Sequence, residues 1–208
     1  MTIYSKVVME IGHKLSFGKF DWRVIDVQNN MVLIITENII ETRSYHDRYI
    51  DVTWADCALR KYLNGMFYDK FSKYEKLQII PVINKNLDNQ WYGTKGGVDT
   101  PDSIFLLSLD EAVCKYFGDS SAKLYNRNKK HKYWFQSKDE NNCKRAATFN
   151  GNVNSWWLRS PGRNSVKAVY IKGNPGGCVG IQGNNVLEGN ISERDYFGGV
   201  RPALWLKI

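Results

Sequence analysis

The sequence contains no run of the roughly 20 consecutive apolar residues that a membrane-spanning helix requires. Its first stretch, Met1 to Leu15, is interrupted by charged side chains and does not have the pattern of a secretory signal peptide. We therefore expect no membrane insertion, and a location in the cytoplasm or among the products of a phage.

Cysteine is scarce, and its four positions, Cys57, Cys114, Cys143 and Cys178, are far apart. They form no C-x-x-C pair and have no neighbouring histidine, so the spacing predicts neither a zinc site nor any other metal or cofactor. Cys57 and Cys114 fall in helical patterns and are predicted to be small buried hydrophobes. Cys143 and Cys178 lie in polar segments and could pair, but without a secretory signal we predict free thiols.

The sequence also has few groups that could act as general bases near neutral pH. Its three histidines are His13, His46 and His131, and none stands in a motif with a nucleophile or an orienting acid. His46 is predicted to be a surface loop residue. The glycine-rich stretch 173–177 lacks the following helix and the Lys-Ser/Thr of a phosphate-binding loop. The sequence therefore predicts a protein that is not an enzyme.

What the sequence does contain is enough apolar material to form a core. Its 208 residues are 43 % hydrophobic and 13 % aromatic, which predicts one globular domain over 1–208. The formal net charge of +8 would attract a polyanion. The basic run 127–132 precedes the aromatic residues 133–135, a combination typical both of single-strand binders and of a solvated loop entering a buried strand. Nucleic acid is therefore an alternative partner.

Local patterns predict both strands and helices in the first two thirds of the chain. Residues 15–36 alternate as a hairpin with its turn at Asn29-Asn30. Thr53, with Asp56 as its acidic partner, predicts the start of a helix that ends at Asn64-Gly65. Further capping boxes predict a short helix after Ser72 and a helix over 109–117 after Ser108. Buried strands are predicted at 77–83 and 104–107.

The last 68 residues contain ten Asn and ten Gly and no helical periodicity, so they are predicted to be rich in loops. Short strands are predicted at 156–159, 166–171, 178–181 and 200–207. Pro202 lacks a backbone donor, which predicts an edge or a bulge in the last of these strands.

An ordered series of motifs resembles a bacterial and phage domain family of unknown function with a C-type-lectin-like fold, distantly related to the formylglycine-generating enzymes. The motifs are FGKFDWRVI (17–25), Trp54 with LRKYLN (59–64), FLLSLDEA (105–112), WLRSPG (157–162) and GVRPALWL (199–206). The resemblance implies an α+β fold with small mixed and antiparallel sheets, two or three short helices and a long loop-rich C-terminal region. It also implies that the last strand returns beside the N-terminal hairpin.

The sequence departs from the active members of these related groups. The late cysteines stand 35 positions apart, whereas a formylglycine-generating enzyme requires a closely spaced reactive pair. The tripeptides that mark a calcium-dependent sugar site are missing, and Asn174-Pro175-Gly176 offers no acidic oxygen to calcium. Arg159 and Arg201 are predicted to be buried guanidinium groups that bind loop carbonyls.

Polar loops on a rigid frame are typical of recognition proteins, so we predict a non-catalytic module that binds a protein or glycan surface. Because some lectin-fold proteins are diversified by retroelements in this region, the resemblance allows a variable protein. The candidate ligand-binding residues are Trp91, Tyr92, Arg163, Asn164, Ser165, Asn174, Asn184, Asn185, Arg194 and Tyr196. One alternative is an enzyme related to the formylglycine-generating group with a different active site, in a pocket lined by Arg159, Arg201 and a carboxylate or thiol of shifted pKa. The other is a nucleic-acid binder using 127–135.

Overall fold

A computed structural model describes residues 9–125, 140–174, 176–187 and 198–208. It is a mixed α+β structure with mostly antiparallel sheets. The first sheet contains, in spatial order, β1 Lys14–Phe17, β2 Phe20–Gln28, β3 Met31–Thr36, β14 Ala203–Lys207 and β5 Ile79–Ile80. The second contains β12 Val179–Asn185, β11 Lys167–Ile171, β10 Trp156–Pro161, β13 Gly199–Val200 and β4 Glu41–Thr42.

Two smaller hairpins and several short helices complete the described structure. The hairpins pair β6 Val82–Asn84 with β7 Thr100–Asp102, and β8 Ala147–Phe149 with β9 Asn152–Asn154. The α-helices are α1 Ala58–Tyr62, α2 Lys73–Lys76, α3 Ser121–Tyr125 and α4 Glu140–Arg145. Wider π-helical turns cover Leu63–Phe67 and Glu111–Lys115, and a 3-10 turn covers Tyr68–Lys70.

The N-terminal prediction is confirmed and extended, because β1, β2 and β3 form a three-stranded meander. Its second turn contains Asn29 at φ 47°, a left-handed conformation that asparagine tolerates. The last strand, β14, pairs with β3, for example Trp205 with Leu33, so the chain end does return beside the N-terminal hairpin.

Both later capping boxes are confirmed. At α2 the Ser72 hydroxyl accepts from the Glu75 amide, and the Glu75 carboxylate accepts from the Ser72 amide. Ser108 and Glu111 form the same reciprocal pair, at 3.2 and 2.8 Å. Gly118, at φ 91°, follows this helical segment directly after the predicted range 109–117.

The predicted start of the first helix is wrong. The N-cap of α1 is Cys57, whose Sγ accepts from the Arg60 amide at 3.3 Å, whereas Thr53 and Asp56 close a separate turn. The indole of Trp54 is buried and donates to Asp102 at 3.0 Å, which fixes this residue in the core before the helix begins.

Three strand and loop predictions also need correction. Residues 77–83 divide at Pro81, so that β5 joins the first sheet and β6 pairs with β7. Residues 104–107 are buried but form a single bridge, Phe105 to Ala203, rather than a strand. A helix, α4, occupies the start of the region predicted to be rich in loops.

The predicted last strand is in fact two strands, because Arg201-Pro202 separates β13 from β14 and the chain passes there from the second sheet to the first. β14 lies between β3 and β5, so it is not an edge strand. The Pro202 carbonyl accepts from the Thr36 amide at 3.0 Å, so the missing proline donor costs no pairing at β3.

Buried tryptophans and arginines donate hydrogen bonds to backbone carbonyls in and around the two sheets. Trp22, Trp156 and Trp157 are at most 1 % exposed, and each indole N–H donates to a backbone carbonyl. The predicted role of the two arginines is confirmed. Arg159 donates to the Leu106 carbonyl at 2.8 Å, and Arg201 donates to the Thr36 carbonyl at 2.9 Å. The core therefore holds irregular backbone in place through fixed hydrogen-bond donors.

Candidate recognition surface

The turn between β10 and β11 presents Arg163 and Asn164 to solvent. The Gly162 amide donates to the Lys167 carbonyl at 2.6 Å, and the Arg163 amide donates to the Gln182 carbonyl at 2.7 Å. A Cβ on Gly162 would lie 2.6 Å from the Gln182 oxygen, so only glycine permits this approach to β12. The turn is therefore anchored to the neighbouring strand while its side chains point outward.

Ser165 joins this turn to a second loop that is distant in sequence. Its hydroxyl donates to the carboxylate of Asp51, and its carbonyl accepts from the Val52 amide at 3.1 Å. The second loop exposes Tyr49 by 57 % and Ile50 by 42 %. We call residues 47–51 together with 163–165 the loop surface.

Tyr49 and Ile50 were missed by the sequence analysis, which examined this segment only for its histidine. An aromatic and a branched aliphatic residue in a polar segment were the available signal. The prediction for His46 itself is wrong, because its side chain is 8 % exposed and its Nδ1 accepts from the Ala58 amide at 3.2 Å. Its backbone amide donates to the Val186 carbonyl, which ties the base of the loop to the end of β12.

Asn184 and Asn185 lie at the same end of the second sheet as Arg163 but are not loop residues. They end β12 and pair with Ala168 and Lys167, with half-buried side chains. The Asn185 Oδ1 accepts from the Leu187 amide at 3.0 Å, so this side chain shapes the backbone that leaves the strand.

Asn174 lies in the connection between β11 and β12, at the opposite end of the sheet. Successive antiparallel connections alternate between the two ends, so Asn174 does not lie on the same face as Arg163 and Asn164. Arg194 and Tyr196, like the basic segment 127–135, lie outside the described residues.

The two aromatic candidates belong to the core. Trp91 is 5 % exposed and its indole donates to the Leu124 carbonyl at 2.5 Å, while Tyr92 is half-buried against the core. The residue that anchors this segment is Asn89, which is buried. Its amide donates to the Pro161 carbonyl at 2.8 Å and to the Ile181 carbonyl at 3.3 Å, fixing this long loop against β10 and β12.

An ion pair between Arg159 and Glu111 holds β10 against the helical segment that begins at Ser108. The guanidinium of Arg159 donates to both carboxylate oxygens of Glu111, at 2.5 and 2.9 Å. Burial raises the pKa of Glu111, but the opposite charge and hydrogen bonds of Arg159 outweigh that effect and leave this pKa lowered. The sequence analysis assigned Glu111 to helix capping alone, whereas the structure gives it both roles.

A separate cleft of about 450 Å³ lies beside the first sheet. Its lining includes Arg23, Glu37, Arg201 and the exposed Cys143. Hydrogen bonds from Arg23 lower the pKa of Glu37 to about 2, with smaller contributions from Lys14. All four cysteines are thiols rather than disulfides, as predicted.

Acid titration tests the lowered pKa of Glu37. A group whose pKa falls on folding stabilises the folded state above its unfolded pKa and loses that contribution as pH drops toward the folded value. We therefore expect the free energy of unfolding to decline between pH 4.5 and about pH 2, and to decline less in Glu37→Gln. Urea unfolding followed by tryptophan fluorescence at each pH measures this, with the exposed Glu10→Gln as control. An unchanged slope in Glu37→Gln would contradict the assignment.

Within 9–125, 140–174, 176–187 and 198–208, no group of three or more His, Cys, Asp or Glu side chains is placed to hold a metal ion. None of the helices in the described part of the chain has the length and apolar character needed to cross a bilayer.

The structure is a mixed α+β protein with two five-stranded sheets, in which hydrogen bonds anchor exposed loops to the second sheet. Over residues 29–208 the sequence matches the profile of a family described as a domain of unknown function (DUF6273), and the chain belongs to this family. A search of curated proteins and a search of solved structures each found no match.

Proposed function

We propose that this protein is a recognition module of C-type-lectin-like fold that binds the surface of a protein or glycan through its loop surface. The fold assignment is supported by the last strand, β14, which pairs beside the N-terminal meander, and by a second sheet built largely from the C-terminal third. Such a fold hosts many activities, so the function is argued from the surface itself.

The observation that carries the proposal is the contact between two loops that are 114 positions apart in sequence. Ser165 binds both the side chain of Asp51 and the backbone of Val52, so the two loops are in direct contact. Since each loop is also fixed to the second sheet, little conformational entropy remains to be lost when a ligand binds.

The exposed groups of this surface suit a protein partner best. Tyr49 and Ile50 supply apolar area, and Arg163 and Asn164 supply hydrogen-bond donors from the adjoining turn. Tyrosine and arginine are enriched among the residues that dominate interface energies. A retroelement-diversified protein is one form of this proposal, in which substitutions between isolates concentrate in residues 163–196, as sequencing the gene from many isolates would show.

Paired substitutions test the surface. The protein is titrated against arrayed glycans and against fractionated bacterial cell-surface proteins, and each ligand is then measured with variants. Tyr49→Ala and Arg163→Ala are each expected to weaken binding by about 2 kcal/mol, roughly thirtyfold in Kd. Tyr74→Ala is the matched control, because Tyr74 is 83 % exposed on α2. Ligands bound equally well by all three variants, or no ligand in either set, would refute the proposal.

An enzymatic role is the second candidate, favoured by the presence of Arg201, Glu37 and Cys143 in one cleft. Two observations weigh against it. Arg159 is not in this cleft but pairs with Glu111, and a carboxylate with a pKa of about 2 neither donates nor accepts a proton readily near neutral pH. Recognition is therefore the function we favour.

A further inference from the structure

We propose that a cleft at the far end of the second sheet binds a neutral carbohydrate, independently of the loop surface. This amide cleft has a volume of about 660 Å³. The polar residues that line it in the described structure are Asn150, Asn152, Asn154, Asn174 and Thr42.

One wall of the amide cleft is a rigid hairpin. Phe149 and Asn152 face each other across the two-residue turn Asn150-Gly151. Both turn residues have positive φ, 50° and 81°, which is the geometry of a type I′ turn and matches the twist of the flanking strands. The backbone at Asn150 is thus held in a defined turn.

The opposite wall is the connection after β11. Gly173 packs so closely against β9 that a Cβ on it would lie 2.8 Å from the Cα of Asn154. The Gly173 amide also donates to the Ser155 hydroxyl at 3.0 Å. These contacts hold Asn174 opposite the hairpin, so the cleft exists before any ligand arrives.

The chemistry of the lining selects uncharged polyols. In a chain with 24 % charged residues, none of the residues that line this cleft in the described structure carries a charge. A side-chain amide both donates and accepts hydrogen bonds, as a sugar hydroxyl does. Within the described part of the chain, the side-chain amides of Asn150 and Asn174 form no hydrogen bond, so these groups are available to a ligand.

Apolar groups complete the match. Phe149 is half-buried and Val153 is 49 % exposed, so the cleft also offers surface to the C–H face of a pyranose ring. Its volume lies within the range of about 300–1,000 Å³ that small-molecule sites occupy. Nucleotides and organic acids would lose their ionic hydration without gaining a cation, which disfavours both.

The test uses NMR titration of the intact chain, observing side-chain amide resonances. The probes are maltotriose, cellotriose and tri-N-acetylchitotriose, each added to about 20 mM, which would nearly saturate a site with a Kd of about 1 mM. At least one is expected to shift the Asn resonances saturably. Oligogalacturonate, a cationic chitosan trimer and a blocked neutral tripeptide should not do so.

Variants locate the binding. Asn152→Ala and Asn174→Ala are each expected to raise Kd at least tenfold, while Asn164→Ala, at the other end of the sheet, leaves it unchanged. Circular dichroism verifies that each variant folds. Failure of all three neutral sugars, preference for the tripeptide or a charged probe, or equal binding by Asn174→Ala and Asn164→Ala would overturn the proposal. None of these results depends on Tyr49 or Arg163, so the loop surface is tested separately.

Discussion

Replacing Asp102 with alanine is expected to lower the free energy of unfolding by about 3–5 kcal/mol, a large fraction of the stability of an ordinary domain. The side chain of Asp102 is fully buried. Its oxygens accept from Arg60 Nε at 2.6 Å, Trp54 Nε1 at 3.0 Å, Asn84 Nδ2 at 2.9 Å and Thr100 Oγ1 at 2.8 Å. Removing the carboxylate leaves these donors without an acceptor in the interior.

Urea unfolding at neutral pH measures the loss, and the matched control is Asp69→Ala. Asp69 also pairs with a cation, Lys76, at 2.8 Å, but it is 72 % exposed. Exposed pairs contribute at most about 1 kcal/mol, so this variant should unfold nearly as the native chain does. If Asp102→Ala were as stable as Asp69→Ala, the hydrogen bonds to the Asp102 carboxylate would not stabilise the fold as expected.

Features that depend on a few neighbouring residues could be predicted from the sequence. The capping boxes at Ser72 and Ser108 each close between residues three positions apart, so their composition is sufficient to indicate them. The turn at Asn29-Asn30 is local in the same sense. The buried guanidinium groups of Arg159 and Arg201 were predicted because five donors on a rigid fork suit the carbonyls of irregular loops.

Features that depend on topology could not be predicted in this way. Asp102 collects donors from Trp54 and Asn84, which lie 48 and 18 positions away. The same long-range contact places Trp54 in the core and moves the start of α1 to Ala58. Pro202 predicted an edge or a bulge in one last strand, whereas the change of sheets there follows from the partners of β13 and β14.

The candidate site shows the same division. Exposed Arg163 and Asn164 were recognised from their polar, turn-forming sequence. Their neighbours Tyr49 and Ile50 are brought near by a contact between Ser165 and Asp51 across 114 positions, which no local pattern encodes. Asn174 was grouped with them because the order of strands, and hence the end of the sheet at which each loop emerges, was unknown.

The second large effect concerns the buried pair of Arg145 and Asp119. Their side chains are 0 % and 1 % exposed, and Nη1 of Arg145 lies 2.7 Å from an Asp119 oxygen. Arg145 Nε also donates to the Gly177 carbonyl at 3.1 Å, which ties α4 to the connection that carries Asn174. Arg145→Met is expected to cost about 3–5 kcal/mol, because it leaves a carboxylate uncompensated in the interior.

A double-mutant cycle separates that penalty from the net contribution of the pair. Replacing both residues, as Arg145→Met with Asp119→Leu, removes both charges, and such apolar replacements are often close to neutral. We therefore expect the double variant to recover most of the stability that Arg145→Met loses, as measured by urea unfolding. Simple additivity of the two single effects would show instead that Arg145 acts chiefly through the Gly177 carbonyl. In that case the amide resonance of Asn174, rather than the global stability, would report the loss of Arg145 most directly.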